Sequence, residues 1–208
     1  MCREPTTGIY EGEIDAIMSP AQGFVAPTGF LIERARLAAD GDVAIAKIYD
    51  VNFNYKHATY VRTNEGVWQW ANEPNIPTSY ATSISPVSRG PAHRVFVRDQ
   101  DLVRYEEWAQ QDATWQLVAS YSLADLGVDY LGETRLAPDA LRMLFWGRVD
   151  VSSPYRVLYV DRPDLTSRFS KAVALTTVPP MVTDPSITDD CGRLYFGALD
   201  SVFYVQQE

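Results

Sequence analysis

Residues 193–200 read RLYFGALD, a short run of β-forming residues that follows a turn and ends at an aspartate. Three more segments have the same form, at residues 43–50, 93–99 and 141–150. Their closing residues, Asp50, Asp99, Asp150 and Asp200, recur about every fifty residues, a period typical of repeat architectures. The chain is therefore expected to fold as four copies of one unit.

Each copy predicts four short antiparallel strands. A first strand precedes each of these segments, joined to it by turn residues such as Asp40-Gly41 and Pro138-Asp139. A third strand rich in Tyr, Val, Leu and Phe follows, and three copies have room for a fourth. The last copy ends after its third strand, whereas residues 8–18 alternate without a hairpin partner. This N-terminal segment is predicted to complete the last sheet, because it would cover an exposed edge.

The predicted fold class is therefore all-β, a small β-propeller of about four blades with four antiparallel strands each. The single domain divides into a closing strand and loop at 1–30 and blades at 31–78, 79–129, 130–178 and 179–208, the last completed by about 8–18. Helices at 102–118 and 122–126 are rejected, because thirteen prolines and twelve glycines are spread through the chain.

The acidic composition excludes several classes of partner. The 27 acidic and 18 basic side chains give a net charge of −9, whose field repels phosphate backbones and anionic lipid surfaces. No nucleic-acid partner is expected. Uninterrupted apolar stretches are far shorter than the roughly 20 residues of a membrane-spanning helix, so no transmembrane segment is predicted.

Motifs of catalysis and cofactor binding are missing from the sequence. It contains no glycine-rich phosphate loop, no dinucleotide fingerprint and no Gly-x-Ser-x-Gly elbow. The histidines, His57 and His93, are too far apart for a helical metal motif and are assigned to strand surfaces. We therefore predict no cofactor, no metal site and no catalytic residue, and an enzyme is the weaker alternative.

The two cysteines bear on closure and location. In the predicted ring, Cys191 lies in the first hairpin turn of the last blade, and about six extended residues span the roughly 20 Å that would bring Cys2 to it. A disulfide is predicted, with two unrelated free cysteines as the alternative. Cys2, beside Met1, is also a candidate lipid-attachment residue. Both ideas indicate a periplasmic or extracellular location, and a cytoplasmic one stays open.

The repeated aspartates are the candidate binding residues. Repetition places Asp50, Asp99, Asp150 and Asp200 at one end of the ring, on the loops between second and third strands. Asn54 and Tyr55, in the first of these loops, add an amide and a ring that could stack on a sugar. The structural alternative is that each aspartate accepts backbone N–H bonds within its own turn.

The last two copies resemble the TolB-type β-propeller repeat family, whose repeats are similar to Trp-Asp repeats. The evidence is DPSITDDCGRLYF at 184–196, which resembles the family's first hairpin, and residues 159–164 with Phe169-Ser170, which resemble the strand before the next blade. Cys191 departs from the pattern and lengthens the turn by one residue. The resemblance covers about 131–205 and implies an envelope scaffold that binds proteins, glycans or small ligands.

Three functional hypotheses follow. The first is a non-enzymatic binding propeller of the bacterial cell envelope, which engages a protein or glycan through the face carrying the four aspartates. The second is a propeller glycoside hydrolase with axial carboxylates, for which Glu33, Glu133 and Asp184 on the first strands are candidates. A hemopexin-like four-bladed module, supported by blade count and by residues 95–108, ranks last.

Overall fold

The computed structural model describes residues 9–11, 24–37, 43–72, 84–87, 94–98, 104–111, 114–188, 192–198 and 201–206. Within these ranges it has sixteen strands and one short helix. The strands are β1 Ile9–Glu11, β2 Leu31–Leu37, β3 Val43–Tyr49, β4 Tyr55–Arg62, β5 Trp68–Asn72, β6 Ile84–Val87, β7 Arg94–Arg98, β8 Arg104–Gln111, β9 Thr114–Ser122, β10 Tyr130–Leu136, β11 Arg142–Arg148, β12 Arg156–Asp161, β13 Val173–Ala174, β14 Thr183–Ile187, β15 Arg193–Ala198 and β16 Ser201–Gln206; the helix is α1 Leu123–Leu126.

The strands form four antiparallel sheets of four strands each. Blade 1 contains β2 to β5, blade 2 contains β6 to β9, and blade 3 contains β10 to β13. Blade 4 has the order β14, β15, β16 and β1. The first strands contact one another in chain order, β2 with β6, β6 with β10 and β10 with β14. The predicted all-β fold of four blades is confirmed.

The N-terminal strand closes blade 4, as predicted. β1 pairs with β16 in antiparallel register, with Ile9 opposite Val205 and Glu11 opposite Phe203. An antiparallel partner satisfies the backbone groups along β16 that would otherwise form an open edge. Strands from the two termini of the chain thus share one sheet.

The register of blade 4 bears on the predicted disulfide. β1 and β15 both pair antiparallel with β16, so they run in the same direction, and Val205 faces both Ile9 and Leu194. Two strand spacings separate β1 from β15, about 10 Å. The segments that lead into these strands carry Cys2 and Cys191, which lie outside the described residues. The disulfide therefore stays a prediction.

We expect thiol titration of the denatured, unreduced protein to find no free thiol, because the disulfide consumes both. The same protein after reduction is the control and should titrate two thiols. Two free thiols before reduction would contradict the disulfide.

Apolar side chains fill the interfaces between blades that are consecutive in the chain. Between blades 1 and 2, Ile45 packs with Val95, Val97 and Trp115. Strand β11 contributes to two interfaces, since Phe145 belongs to the cluster shared with blade 2 and Leu144 to the cluster shared with blade 4. Successive side chains of a strand point to opposite faces, so a strand buried on both faces is apolar without interruption.

A buried ion cluster, which we call the Glu107 cluster, joins blades 2 and 3. The Arg162 guanidinium donates to both oxygens of Glu107, at 2.7 and 2.8 Å, and Arg94 donates to the same carboxylate. Arg162 also donates to the carbonyl of Ala140 and lies 4.4 Å from the centre of the Phe169 ring. The side chains of Glu107 and Arg162 are 0% and 1% exposed. Removing these charges from water costs free energy, and this cost is offset only because the charged groups keep their hydrogen bonds.

Two expectations from the sequence are wrong. Residues 123–126 form one turn of helix, in which the Ser122 side chain accepts from the N–H of Asp125 while Asp125 accepts from the N–H of Ser122. Gly127 ends the turn at φ 67°. A capping box followed by glycine is a local helix signal, and the overall proline and glycine content of the chain does not report on it. His57 is buried rather than exposed, and burial, with the nearby charge of Lys47, lowers its pKa to about 4.

In the described part of the chain, no helix is long enough or apolar enough to cross a membrane.

Candidate functional site

The loop between β3 and β4 is a tight turn around Asp50. The N–H groups of Asn52 and Asn54 donate to Asp50 Oδ1 at 2.8 and 3.0 Å, and the Asn54 side-chain amide donates to Oδ2 at 2.9 Å. The N–H of Phe53 donates to the Asp50 carbonyl at 3.0 Å. The bonds to the carboxylate favour its ionised form and so lower the pKa of Asp50, and the largest contribution comes from the Asn54 side-chain amide. The carboxylate is thus engaged within its own turn.

Asp150 organises the corresponding loop between β11 and β12 in the same way. Its carboxylate accepts from the backbone N–H groups and the hydroxyls of both Ser152 and Ser153. Both aspartates that the structure describes therefore accept backbone N–H bonds within their own turns, which is the structural alternative to ligand binding. Asp99 and Asp200 lie outside the described residues, and direct ligand contact by any of the four stays a prediction.

The hydrogen bonds of the Asp150 turn should give the Asp150 carboxyl a measurably low pKa. Hydrogen bonds from the side chains of Ser152 and Ser153 lower the pKa of Asp150 from 3.8 to about 2. A carboxyl with a lowered native pKa stabilises the fold above its ordinary pKa, and this contribution disappears as the pH falls from about 4 towards 2. We expect carboxyl-carbon NMR to give a midpoint near 2, and Ser152→Ala with Ser153→Ala to raise it towards 3.8. An ordinary midpoint in the unmodified chain would contradict this turn.

An aromatic group lies against the Asp50 turn in blade 1. Phe53 stacks parallel to Tyr49 with ring centres 5.7 Å apart, and Tyr55 lies 5.7 Å from Tyr49 on the paired strand. The ammonium of Lys47 is 4.1 Å from the centre of the Tyr55 ring. Tyr55 begins β4 rather than lying in the loop, and it stays 42% exposed. The predicted residues Asp50, Asn54 and Tyr55 are therefore brought together.

A second aromatic group lies against the Asp150 turn in blade 3. Trp146 stacks on Tyr155 with ring centres 4.6 Å apart, and Tyr130 meets both rings edge-on at 5.4 Å. Arg148 lies 5.1 Å from the centre of the Tyr155 ring and forms a 2.7 Å ion pair with Asp129. Both described loops between second and third strands thus carry an aspartate-centred turn with aromatic rings beside it.

These loops belong to one end of the propeller, which we call the loop end. It comprises the β3–β4 and β11–β12 loops and the segments 24–30 and 176–182 that lead into β2 and β14. Antiparallel order places the loop after a second strand at the same end as the segment before a first strand. A hydrogen bond of 2.8 Å from the N–H of Met181 to the Tyr155 carbonyl joins two of these segments directly.

Exposed large apolar side chains concentrate at the loop end. Of the fourteen in the described residues, six lie there and two more begin the strands that leave it; the six are Val25, Val51, Phe53, Val149, Val151 and Met181, and the two are Leu31 and Tyr55. The other six belong to the β4–β5 hairpin or the outermost strands. Reasoning from the sequence missed Val51, Phe53 and Met181. A signal was present, because Val51 and Phe53 alternate with asparagines in a turn, where apolar residues have no core to enter.

The candidate axial carboxylates lie at irregularities of the first strands. The pairing register shifts between Ile32 and Arg34, between Leu131 and Thr134, and between Thr183 and Ser186. Glu33, Glu133 and Asp184 fall within these three β-bulges. In the part of the chain that the structure describes, no group of three or more His, Cys, Asp or Glu residues could hold a metal ion.

Four antiparallel four-stranded sheets, with first strands that contact in chain order and loops gathered at one end, define the β-propeller class. Three solved structures with this fold are similar to the chain. TolB from Acinetobacter baumannii matches with a TM-score of 0.50 and 12% identity, over 86% of this chain and 44% of its own. A putative 6-phosphogluconolactonase from Bacteroides uniformis matches with a TM-score of 0.53 and 12% identity, over 99% of this chain and 55% of its own. The gluconolactonase XC5397 from Xanthomonas campestris matches with a TM-score of 0.51 and 12% identity, over 88% of this chain and 60% of its own.

At this identity the similarity shows the fold alone, and the chain spans between 44% and 60% of the length of these three structures. No family model and no curated protein matches the sequence.

Proposed function

We propose that this chain is a non-enzymatic binding propeller that engages a protein partner through the loop end. The observation that carries the proposal is the concentration of exposed apolar side chains there. Apolar surface gathered in one region and rimmed by polar groups is typical of interaction sites, whereas scattered apolar residues are ordinary.

The chemistry of the loop end favours a protein over a glycan. A glycan site combines aromatic platforms with polar groups that bind hydroxyls, and Val51, Val151 and Met181 supply neither. Protein interfaces are enriched in aromatic residues, methionine and arginine. Phe53, Met181 and the stacked Arg148 agree with that composition.

We further propose a periplasmic or extracellular location with a lipid anchor on Cys2. Support comes from the resemblance of the last two repeats to envelope propellers, and Cys2 supplies the thiol that an anchor would modify. Mass spectrometry of the protein purified from its native cells tests the anchor, since acyl chains on Cys2 would add their mass to the N-terminal peptide. An N-terminal peptide without added mass would contradict it.

Site-specific photo-crosslinking in the native cells tests the binding function. A photoreactive phenylalanine analogue at Val51 or Val151 is expected to give one discrete adduct with the same protein. The same analogue at Val67 or Val173, exposed residues outside the loop end, is the matched control and should give none. Adducts from the control positions alone would contradict the proposal.

Glycoside hydrolysis by axial carboxylates is the second candidate function. The three β-bulges favour it, because bulges re-aim side chains and occur beside active sites. Release of reducing sugar from polysaccharides by the purified chain, abolished by Glu133→Gln, would support this candidate. Turnover that survives Glu133→Gln would remove Glu133 from the reaction.

A further inference from the structure

Two exposed apolar side chains of the loop end are held on strained backbone. In the described part of the chain, the non-glycine residues with positive φ are Phe53 at 60°, Ala140 at 56° and Met181 at 66°. This left-handed conformation brings Cβ close to the next carbonyl oxygen, and glycine or asparagine adopts it more readily. Ala140 is buried, whereas Phe53 and Met181 are each 67% exposed.

In the described residues, neither the Phe53 nor the Met181 side chain is needed to hold the fold together. The N–H of Met181 donates to the Tyr155 carbonyl, a bond that any residue except proline could make. One face of the Phe53 ring rests on Tyr49, and two thirds of the side chain stays in water. Exposed apolar surface and strained backbone are both unfavourable in the isolated chain. Strain that persists without a packing reason points to function.

The Phe53 ring is also held in place before any partner arrives. The bonds from Asn52 and Asn54 to the Asp50 carboxylate close the turn, and the stack on Tyr49 restricts the ring. A rigid aromatic anchor loses little conformational entropy on binding. Met181 complements it, because a flexible thioether side chain adapts to irregular surfaces.

We propose that Phe53 and Met181 are the two anchor residues of the loop end, and that they bind a positively charged protein segment with apolar side chains. The inference rests on the proposed binding function and specifies the partner's chemistry. The net charge of −9 attracts cationic partners over long range and repels a second copy of this chain. The anchors then supply the apolar contact once the charges have brought the segment near.

Stability measurements separate an anchor from a structural residue. We expect Phe53→Asn and Met181→Asn each to raise the thermal midpoint by about 2–4 °C, because asparagine relieves the strain. Val51→Asn, in the same loop but without positive φ, is the matched control and should leave the midpoint unchanged. A lower midpoint for both Phe53→Asn and Met181→Asn would show that these side chains hold the fold together, and would overturn the proposal.

Selection from a random dodecapeptide display library tests the partner chemistry on the intact chain. Enriched peptides are expected to combine Lys or Arg with large apolar residues and to bind more weakly as salt rises. Phe53→Asn and Met181→Asn should each weaken the selected peptides at least about tenfold, as truncation of a hot-spot residue does. Val67→Asn, outside the loop end, should leave their affinity unchanged.

The outcomes separate this inference from the proposed function. Peptides weakened by Val151→Asn but by neither anchor variant would keep the loop end as the binding face and overturn the anchors. Enrichment of acidic peptides would overturn the predicted charge of the partner. Peptides weakened only by Val67→Asn would overturn both the anchors and the loop end.

Discussion

Replacing Glu107 with glutamine is expected to lower the free energy of unfolding by about 3–5 kcal/mol, the loss typical of a buried ion pair that loses one partner. Glutamine has nearly the same shape but no charge, so the Arg162 guanidinium would stay buried without an anion. Domains of this kind are stable by about 5–15 kcal/mol, so the change removes a large part of that stability.

The effect at Arg162 is expected to be smaller than at Glu107. Arg162→Met leaves Glu107 buried, but Arg94 still donates to the Glu107 carboxylate. The Arg94 side chain is 13% exposed, so this remaining pair keeps some contact with water. Glu107→Gln instead leaves two cations without an anion. This asymmetry distinguishes a three-membered charge cluster from a simple pair.

Urea unfolding of the unmodified chain, Glu107→Gln and Arg162→Met measures the loss of stability caused by each substitution. Arg168→Met is the matched control, because Arg168 pairs with Asp125 at 3.4 Å while both side chains are more than half exposed. Exposed pairs contribute about 0–1 kcal/mol. A loss for Glu107→Gln no larger than the loss for the control would contradict the role given to the Glu107 cluster.

Gly147→Ala is expected to destabilise the fold by about 1–3 kcal/mol, the range for overpacked sites. A Cβ at Gly147 would lie 2.5 Å from the backbone carbonyl oxygen of Tyr130 and 3.2 Å from the Phe145 ring. The carbonyl belongs to the neighbouring strand of blade 3, so it cannot move without disturbing the sheet. The added methyl group must therefore displace backbone rather than a flexible side chain.

Gly197 provides the matched control for this prediction. It follows Phe196 in β15 as Gly147 follows Trp146 in β11, but its Cβ would meet the Thr183 hydroxyl at 3.2 Å. A side chain can shift by a few tenths of an ångström, so Gly197→Ala should destabilise the fold less than Gly147→Ala. Equal thermal midpoints for the two variants would show that the approach of the Tyr130 carbonyl does not decide the outcome.

Much of the fold could be predicted from local patterns. Each blade is built from neighbouring strands joined by short turns, so a period of about fifty residues carries most of the topology. The pairing of the N-terminal segment with β16 followed from two matching deficits at the chain ends. The helix at 123–126 was missed, although Ser122, Asp125 and Gly127 signal it locally.

The candidate site could be predicted only in part. The equal spacing of the repeats predicted Asp50 and Asp150 as candidate binding residues, and the structure places both in corresponding turns. Their spacing does not reveal that the carboxylates accept hydrogen bonds from their own loops, because that depends on turn dihedrals. The exposure of Phe53 and Met181 was likewise hidden, since an apolar residue in a sequence is ordinarily assigned to a core.

The sequence by itself determined the all-β class, the four repeats, the closing strand and the absence of recognised catalytic motifs, because these depend on local periodicity and residue type. Only the tertiary structure decided which charges are buried and which apolar side chains are exposed. Glu107 and Arg162 are 55 residues apart and meet because neighbouring blades pack face to face. Phe53 and Met181 belong to one end because antiparallel order returns the chain there in each blade.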